Sequence, residues 1–99
     1  MNKLKLVITD TAKDDITAIV DYIANDNINA GKNTAMYLYK TCNDLTIFPN
    51  IGITRIDLTN ENLKFFVIKK RYIIVYKIEG KILYISRVLS GYQDICFLF

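Results

Sequence analysis

The sequence predicts an α+β domain: a short N-terminal strand, an antiparallel two-helix hairpin, and then a three-stranded antiparallel sheet packed against that hairpin. Three observations predict it. Apolar residues recur at helical spacing as far as about residue 45, and the period drops to two after residue 62. Pro49-Asn50-Ile51-Gly52 separates the two regimes as a turn. Glu79-Gly80 then sits between two apolar runs as a two-residue hairpin loop. The chain has 99 residues and a mass of 11.4 kDa. That is room for one domain, spanning 1–99, and not for two.

The elements follow in order. Leu4-Lys5-Leu6-Val7-Ile8 alternates weakly and forms a first strand. Thr9-Asp10-Thr11 offers N-cap groups, and Thr11 with Asp14 resembles a capping box. Ala12, Ile16, Ile19, Val20 and Ile23 then share one helical stripe, giving helix one over about 11–25. Asn25-Asp26-Asn27-Ile28-Asn29 is too rich in Asn and Asp to continue the helix and makes a turn. Asn29 caps helix two, whose stripe is Ala35, Leu38, Cys42 and Leu45, flanked by Met36 and Tyr39. It ends before Pro49, because the residue preceding proline is pushed out of helical geometry. Residues 53–62 are irregular or a weak strand.

Leu63–Lys69, Tyr72–Ile78 and Lys81–Leu89 form three strands rich in Ile, Val, Tyr and Phe. A loop at Glu79-Gly80 sets Ile78 opposite Lys81, Tyr76 opposite Leu83, Ile74 opposite Ile85 and Tyr72 opposite Arg87. One face then carries Tyr72, Ile74, Tyr76, Ile78, Leu83 and Ile85, and it packs on the helices. The other carries Ile73, Val75, Lys77, Ile82, Tyr84, Ser86 and Val88. That second face is half apolar while both helices are already used, so something else covers it. The tail Ile95-Cys96-Phe97-Leu98-Phe99, a protein partner and a second copy of the chain are three open choices.

Composition removes whole classes of chemistry. Hydrophobic residues make up 52% of the chain and charged residues 23%, which excludes an intrinsically disordered protein. No run approaches the roughly 18 apolar residues of a membrane span, and the N-terminus lacks the apolar core and cleavage site of a signal peptide, so a cytoplasmic protein is expected. Histidine is absent, which excludes Ser-His-Asp and Cys-His catalysis and histidine–metal sites. Cys42 and Cys96 lie far apart and are expected to be buried free thiols. The glycines are isolated and the only serines are Ser86 and Ser90, so neither a phosphate loop nor a serine hydrolase is supported. No cofactor and no metal are expected.

Charge is uneven. Residues 1–62 hold six Lys/Arg and eight Asp/Glu, while residues 63–99 hold seven and two, for net charges of −2 and +5. A basic C-terminal half suits an anionic partner, and equally a strand edge protected from aggregation.

Four segments carry a resemblance. They are Ala12-x-x-Asp15-Ile16-x-x-Ile19-x-x-Tyr22-Ile23-Ala24, Leu45-x-x-x-Pro49-x-Ile51-Gly52-x-x-Arg55, Phe66-x-Ile68-x-x-x-Tyr72-Ile73-Ile74-x-Tyr76, and Arg87-Val88-Leu89-Ser90-Gly91-x-x-Asp94-Ile95. In that order the chain resembles the RelE/ParE toxin superfamily of bacterial toxin–antitoxin modules, and within it the ParE branch. Two positions depart from the family. Ser90 stands where a histidine is usual, and Ile73 stands where the ribosome-dependent ribonucleases carry a catalytic arginine. Cleaving RNA through its 2′-hydroxyl needs a proton acceptor and a cation at the developing phosphorane; without histidine the acceptor is a carboxylate, a lysine of lowered pKa or a tyrosinate, and Asp94 and Tyr92 are the nearest options, neither with a visible partner.

The resemblance implies a type II toxin that inhibits DNA gyrase by binding, without catalysis of its own. The alternatives are a ribosome-dependent mRNA interferase acting on ribosome-bound message, and a non-toxic degenerate binding module. Arg87, Tyr92, Lys69, Lys70 and Arg71 are the candidates for contact with the target. Ile73, Val75, Tyr84 and Val88 are the candidates for contact with a cognate antitoxin, a small and acidic protein encoded beside this gene. The chain could also pair with itself or assemble into a toxin–antitoxin hetero-oligomer. Each candidate also has a plainer role: Arg87 pairing with a carboxylate near the helices, Tyr92 capping the sheet, and Lys69-Lys70-Arg71 as solvated turn.

Overall fold

A computed structural model describes residues 3–54, 62–68 and 71–90. The elements are β1 (Lys5–Ile8), α1 (Asp10–Ala24), α2 (Ile28–Leu45), β2 (Ile53–Thr54), β3 (Lys64–Ile68), β4 (Tyr72–Glu79) and β5 (Ile82–Ser90). Among the described residues the sheet has five strands in the order β1-β5-β4-β3-β2. The α+β class is as predicted. The two additions come from the ends of the helical hairpin. β1 does not stand apart but joins the sheet parallel to β5, Lys5 opposite Ile82 through Ile8 opposite Ile85. β2 is a two-residue edge strand antiparallel to β3.

The α1 cap falls on Thr9, the first of the N-cap candidates Thr9-Asp10-Thr11, and the α2 cap lies two residues earlier than the sequence suggested. Thr9, not Thr11, caps α1, its hydroxyl accepting from Ala12 N–H at 3.2 Å. Asn27, not Asn29, caps α2 by accepting from Ala30 N–H at 3.1 Å. Thr9 is chosen because it serves two ends at once: its N–H and its hydroxyl both donate to the Ile85 carbonyl of β5, at 3.2 and 2.8 Å. A cap that also bonds the neighbouring strand satisfies more of the orphan polar groups than one that does not.

The hairpin loop is also displaced. Glu79 pairs with Ile82, so the loop is Gly80-Lys81, with Gly80 at φ +60° as its first residue. Ile78 therefore faces Leu83, Lys77 faces Tyr84 and Tyr76 faces Ile85. Past Tyr76 the register slips again: Val75 faces Arg87, and Ser86 is the extra residue of a β-bulge. The bulge reverses the alternation along β5. Val88 opposes Ile74 and packs with Ala12, Ile16, Leu38 and Cys42 on the helix side, not on the opposite face with Tyr84 as expected.

The core lies between the helical hairpin and one sheet face. It holds Ala12 and Ile16 from α1, Leu38, Cys42 and Leu45 from α2, and Ile68, Ile74, Tyr76, Leu83, Ile85 and Val88 from the strands. Cys42 is fully buried and free, as expected; Cys96 lies outside the described residues. A second cluster, Leu63, Phe65, Ile73, Val75 and Leu89, occupies the other sheet face. All five are buried. The apolar tail 95–99 proposed to cover that face lies outside the described residues.

Candidate functional site

Two regions stand out, one at each border of the helical layer. The first is the free edge of β5. β1 ends opposite Ile85, so the backbone of β5 beyond that point has no β1 partner. Asp15 of α1 takes its place. Its Oδ2 accepts from the Val88 N–H at 3.0 Å and from Arg87 Nε at 2.7 Å, and its Oδ1 accepts from a terminal guanidinium nitrogen at 3.0 Å. Past the bulge at Ser86, Arg87 sits opposite Val75 and Val88 opposite Ile74, at the free edge of β5 where Asp15 meets them. The fork geometry of the pair and its partial burial make it a strong one. The Arg87 guanidinium is held above its ordinary pKa, chiefly by the hydrogen bond to Asp15; burial opposes this in part, and that carboxylate's charge adds a smaller lift. Arg87 thus spends its charge within the fold, the plainer of the two roles foreseen for it.

The second region is a groove between α2 and the far side of the sheet. Its larger part is an apolar trough of about 720 Å³, formed by Met36, Tyr37 and Leu45 of α2, Phe48 and Ile51 of the following turn, and Phe66 of β3. Met36 is 71% exposed, Phe48 55% and Ile51 50%, so large apolar side chains face solvent here side by side. Lys40 and Asp44 rim the trough and pair with each other at 3.5 Å. Tyr37 also lines a smaller cleft of about 300 Å³ beside the trough, over Leu38 and Ile68, walled by Asn33, Thr34, Arg71 and Tyr72.

A buried tyrosine fixes the trough's outer wall. The Tyr76 hydroxyl donates to the Pro49 carbonyl at 2.8 Å and accepts from the Gly52 N–H at 3.0 Å. The ring fills the space where any Cβ at position 52 would sit, so glycine is required there by close approach. The turn 49–52, which presents Ile51, is thereby pinned to the centre of the sheet. Burial pushes the Tyr76 phenol above its ordinary pKa, partly offset by the Gly52 hydrogen bond.

The other predicted site residues scatter. Arg71 is exposed at the mouth of the cleft. Lys69, Lys70 and Tyr92 lie outside the described residues. Ile73 and Val75 are 3% and 0% exposed, and Val88 is 2% exposed on the helix side, so these three present no surface to an antitoxin in this state. Tyr84 alone of that set is half-buried, with the Lys77 ammonium 5.9 Å from its ring centroid. The groove residues Phe48, Ile51 and Phe66 were missed. Their signal was present: Met36 lies beside, not within, the core stripe of α2, and Phe48 precedes a proline turn with nothing to pack on. Among the described residues no three Asp, Glu, Cys or His side chains converge on a metal position, and no helix is long and apolar enough to cross a membrane.

The model of the ParE toxin of the type II toxin–antitoxin system parDE matches residues 6–95. The chain belongs to the ParE toxin family. Its fold is also that of a solved chain described as the chromosomal ParDE TA system from P. aeruginosa, with a TM-score of 0.77 at 17% identity, over 93% of this chain and all of that one. At that identity the likeness concerns the fold alone. No curated protein matches the chain. The match embraces β1 through β5, and with them both the Asp15–Arg87 edge and the α2 groove of this ParE-family chain.

Proposed function

We propose that this ParE-family chain is a cytoplasmic toxin that inhibits DNA gyrase by binding it, and that a protein antitoxin neutralises it by occupying the α2 groove. The observation that carries the binding reading is Ile73. The position where the resemblance places a catalytic arginine in the ribonuclease branch is here an isoleucine, buried in the sheet between Val67 of β3 and Leu89 of β5. A buried alkyl side chain neither moves a proton nor stabilises a phosphorane. Arg87, the next candidate, is already engaged by Asp15. Lys69, Lys70, Arg71 and Tyr92 remain the candidates for contact with the target, within the basic C-terminal half.

The antitoxin reading is supported by the trough. A contiguous set of exposed apolar side chains between a helix and a sheet suits an amphipathic segment of another chain. The expected partner is acidic, given this chain's net charge of +3.

Plasmid supercoiling by purified gyrase tests the target. Dose-dependent inhibition by the folded protein is expected, with message in a translating extract left intact. Unimpaired supercoiling at high molar excess, or codon-spaced cuts in ribosome-bound message, would sink the gyrase reading.

A further inference from the structure

We infer that the cleft at the Arg71 end of the α2 groove receives an aspartate or glutamate side chain of the antitoxin, and that this contact sets the register of the segment lying in the trough. The inference rests on the antitoxin reading above and goes beyond it by naming the chemistry recognised.

The two halves of the groove differ in charge accounting. In the trough, Lys40 already has Asp44 as its partner. Among the described residues none of the cleft's walls is acidic, while Arg71, Asn33 and Tyr72 all bring hydrogen-bond donors. Among the described residues Arg71 forms no ion pair. The described walls of the cleft therefore offer a cation and neutral donors with no compensating anion among them. Leu38 and Ile68 form its floor, and both are buried. A charge pair closed over an apolar floor by a bound segment is worth more than the same pair in open solvent. A guanidinium also matches the planar geometry of a carboxylate with two parallel hydrogen bonds.

The occupant follows from continuity. Tyr37 lines both halves, so the cleft lies one side chain away from the trough, within reach of a segment bound there. From Tyr37 to Asp44 the helix advances about 10 Å, or two turns. A segment with apolar anchors over Met36, Phe48 and Phe66, and one carboxylate about that far along, fills both halves in a single register. The same carboxylate would cover a cation proposed for the target surface, which gives neutralisation by masking.

The test uses the full-length chain with the product of the adjoining gene as probe, binding being measured by calorimetry. Arg71→Glu is expected to weaken binding about 30-fold, and Arg71→Lys less, since the fork geometry is lost while the charge is kept. Exchanging one acidic residue of the probe for arginine is expected to restore binding to Arg71→Glu while weakening it to the wild type. Arg71 is exposed, so both variants should unfold at the wild-type temperature. If Arg71→Glu binds within threefold of wild type while Phe48→Glu abolishes binding, the trough stands and the carboxylate cleft is wrong. If the probe binds neither protein, or Phe48→Glu binds as well as wild type, the groove reading itself fails and takes this inference with it.

Discussion

The border of α1 and the border of α2 are finished in opposite ways. Beyond Ile85 the edge of β5 would expose backbone amides, and Asp15 closes it, taking one amide and the neighbouring guanidinium with a single carboxylate. Along α2, Met36, Phe48 and Ile51 remain largely in solvent, side by side along an open trough. The polar edge had to be closed within the chain, since a buried unpaired amide or charge costs more than an exposed apolar group. The apolar border can wait for a partner. The contrast also separates two arginines that composition cannot tell apart: Arg87 belongs to the fold and Arg71 to the surface.

The comparison can be broken experimentally, and the largest effect is expected in the trough. Phe48→Glu places a charge among Met36, Ile51 and Phe66 and should weaken antitoxin binding at least 100-fold, the loss of a central anchor, while thermal unfolding stays near wild type. Asp15→Ala should do the reverse. It leaves Arg87 and the Val88 N–H without their acceptor, at a cost of about 2–3 kcal/mol. For a domain of this size the melting temperature should fall by roughly 10 °C or more, with antitoxin affinity for the folded fraction unchanged. An Asp15→Ala protein that melts like wild type would show that the edge is not closed by this pair.

Cys42 sharpens the comparison from beneath, since it lies in the core that both borders enclose. Burial pushes its thiol up to about 12 from an ordinary 9.0, against a weaker opposing backbone hydrogen bond. The folded chain then keeps a proton that the unfolded chain releases. Its contribution to stability is whole below pH 9 and is lost as pH rises towards 12, at about 1.4 kcal/mol per unit. Denaturant titrations at pH 9 and 10.5 should show this slope, and Cys42→Ala should flatten it despite a constant loss from the cavity. The smallest effect belongs to the trough's rim. Lys40→Ala breaks an exposed pair and should change stability by less than about 0.5 kcal/mol.

Much of this was legible in the sequence, and the failures share a cause. The helices, the three long strands and the core face of β4 follow from apolar periodicity, which the fold obeys. The choice of Thr9 over Thr11, and of Asn27 over Asn29, was not legible because local propensity favours several Thr and Asn residues equally, and the contact with Ile85 selects Thr9. The bulge at Ser86 has no local mark, and the contacts that accompany it, those of Arg87 and of the Val88 N–H with Asp15, join residues 72 and 73 apart in the chain. That slip moved Val88 to the helix side. The groove was hidden for a similar reason: Met36, Phe48 and Phe66 come from three elements whose exposure no one-dimensional pattern reports.

Hydrogen exchange on the chain alone and in complex with the product of the adjoining gene tests the central claim most directly. Added protection is expected in the turn 48–54 and along α2 from Asn33 to Leu45, with the amides of Arg87 to Ser90 unchanged. Protection confined to β5, with α2 and the turn exchanging as in the free chain, would contradict it.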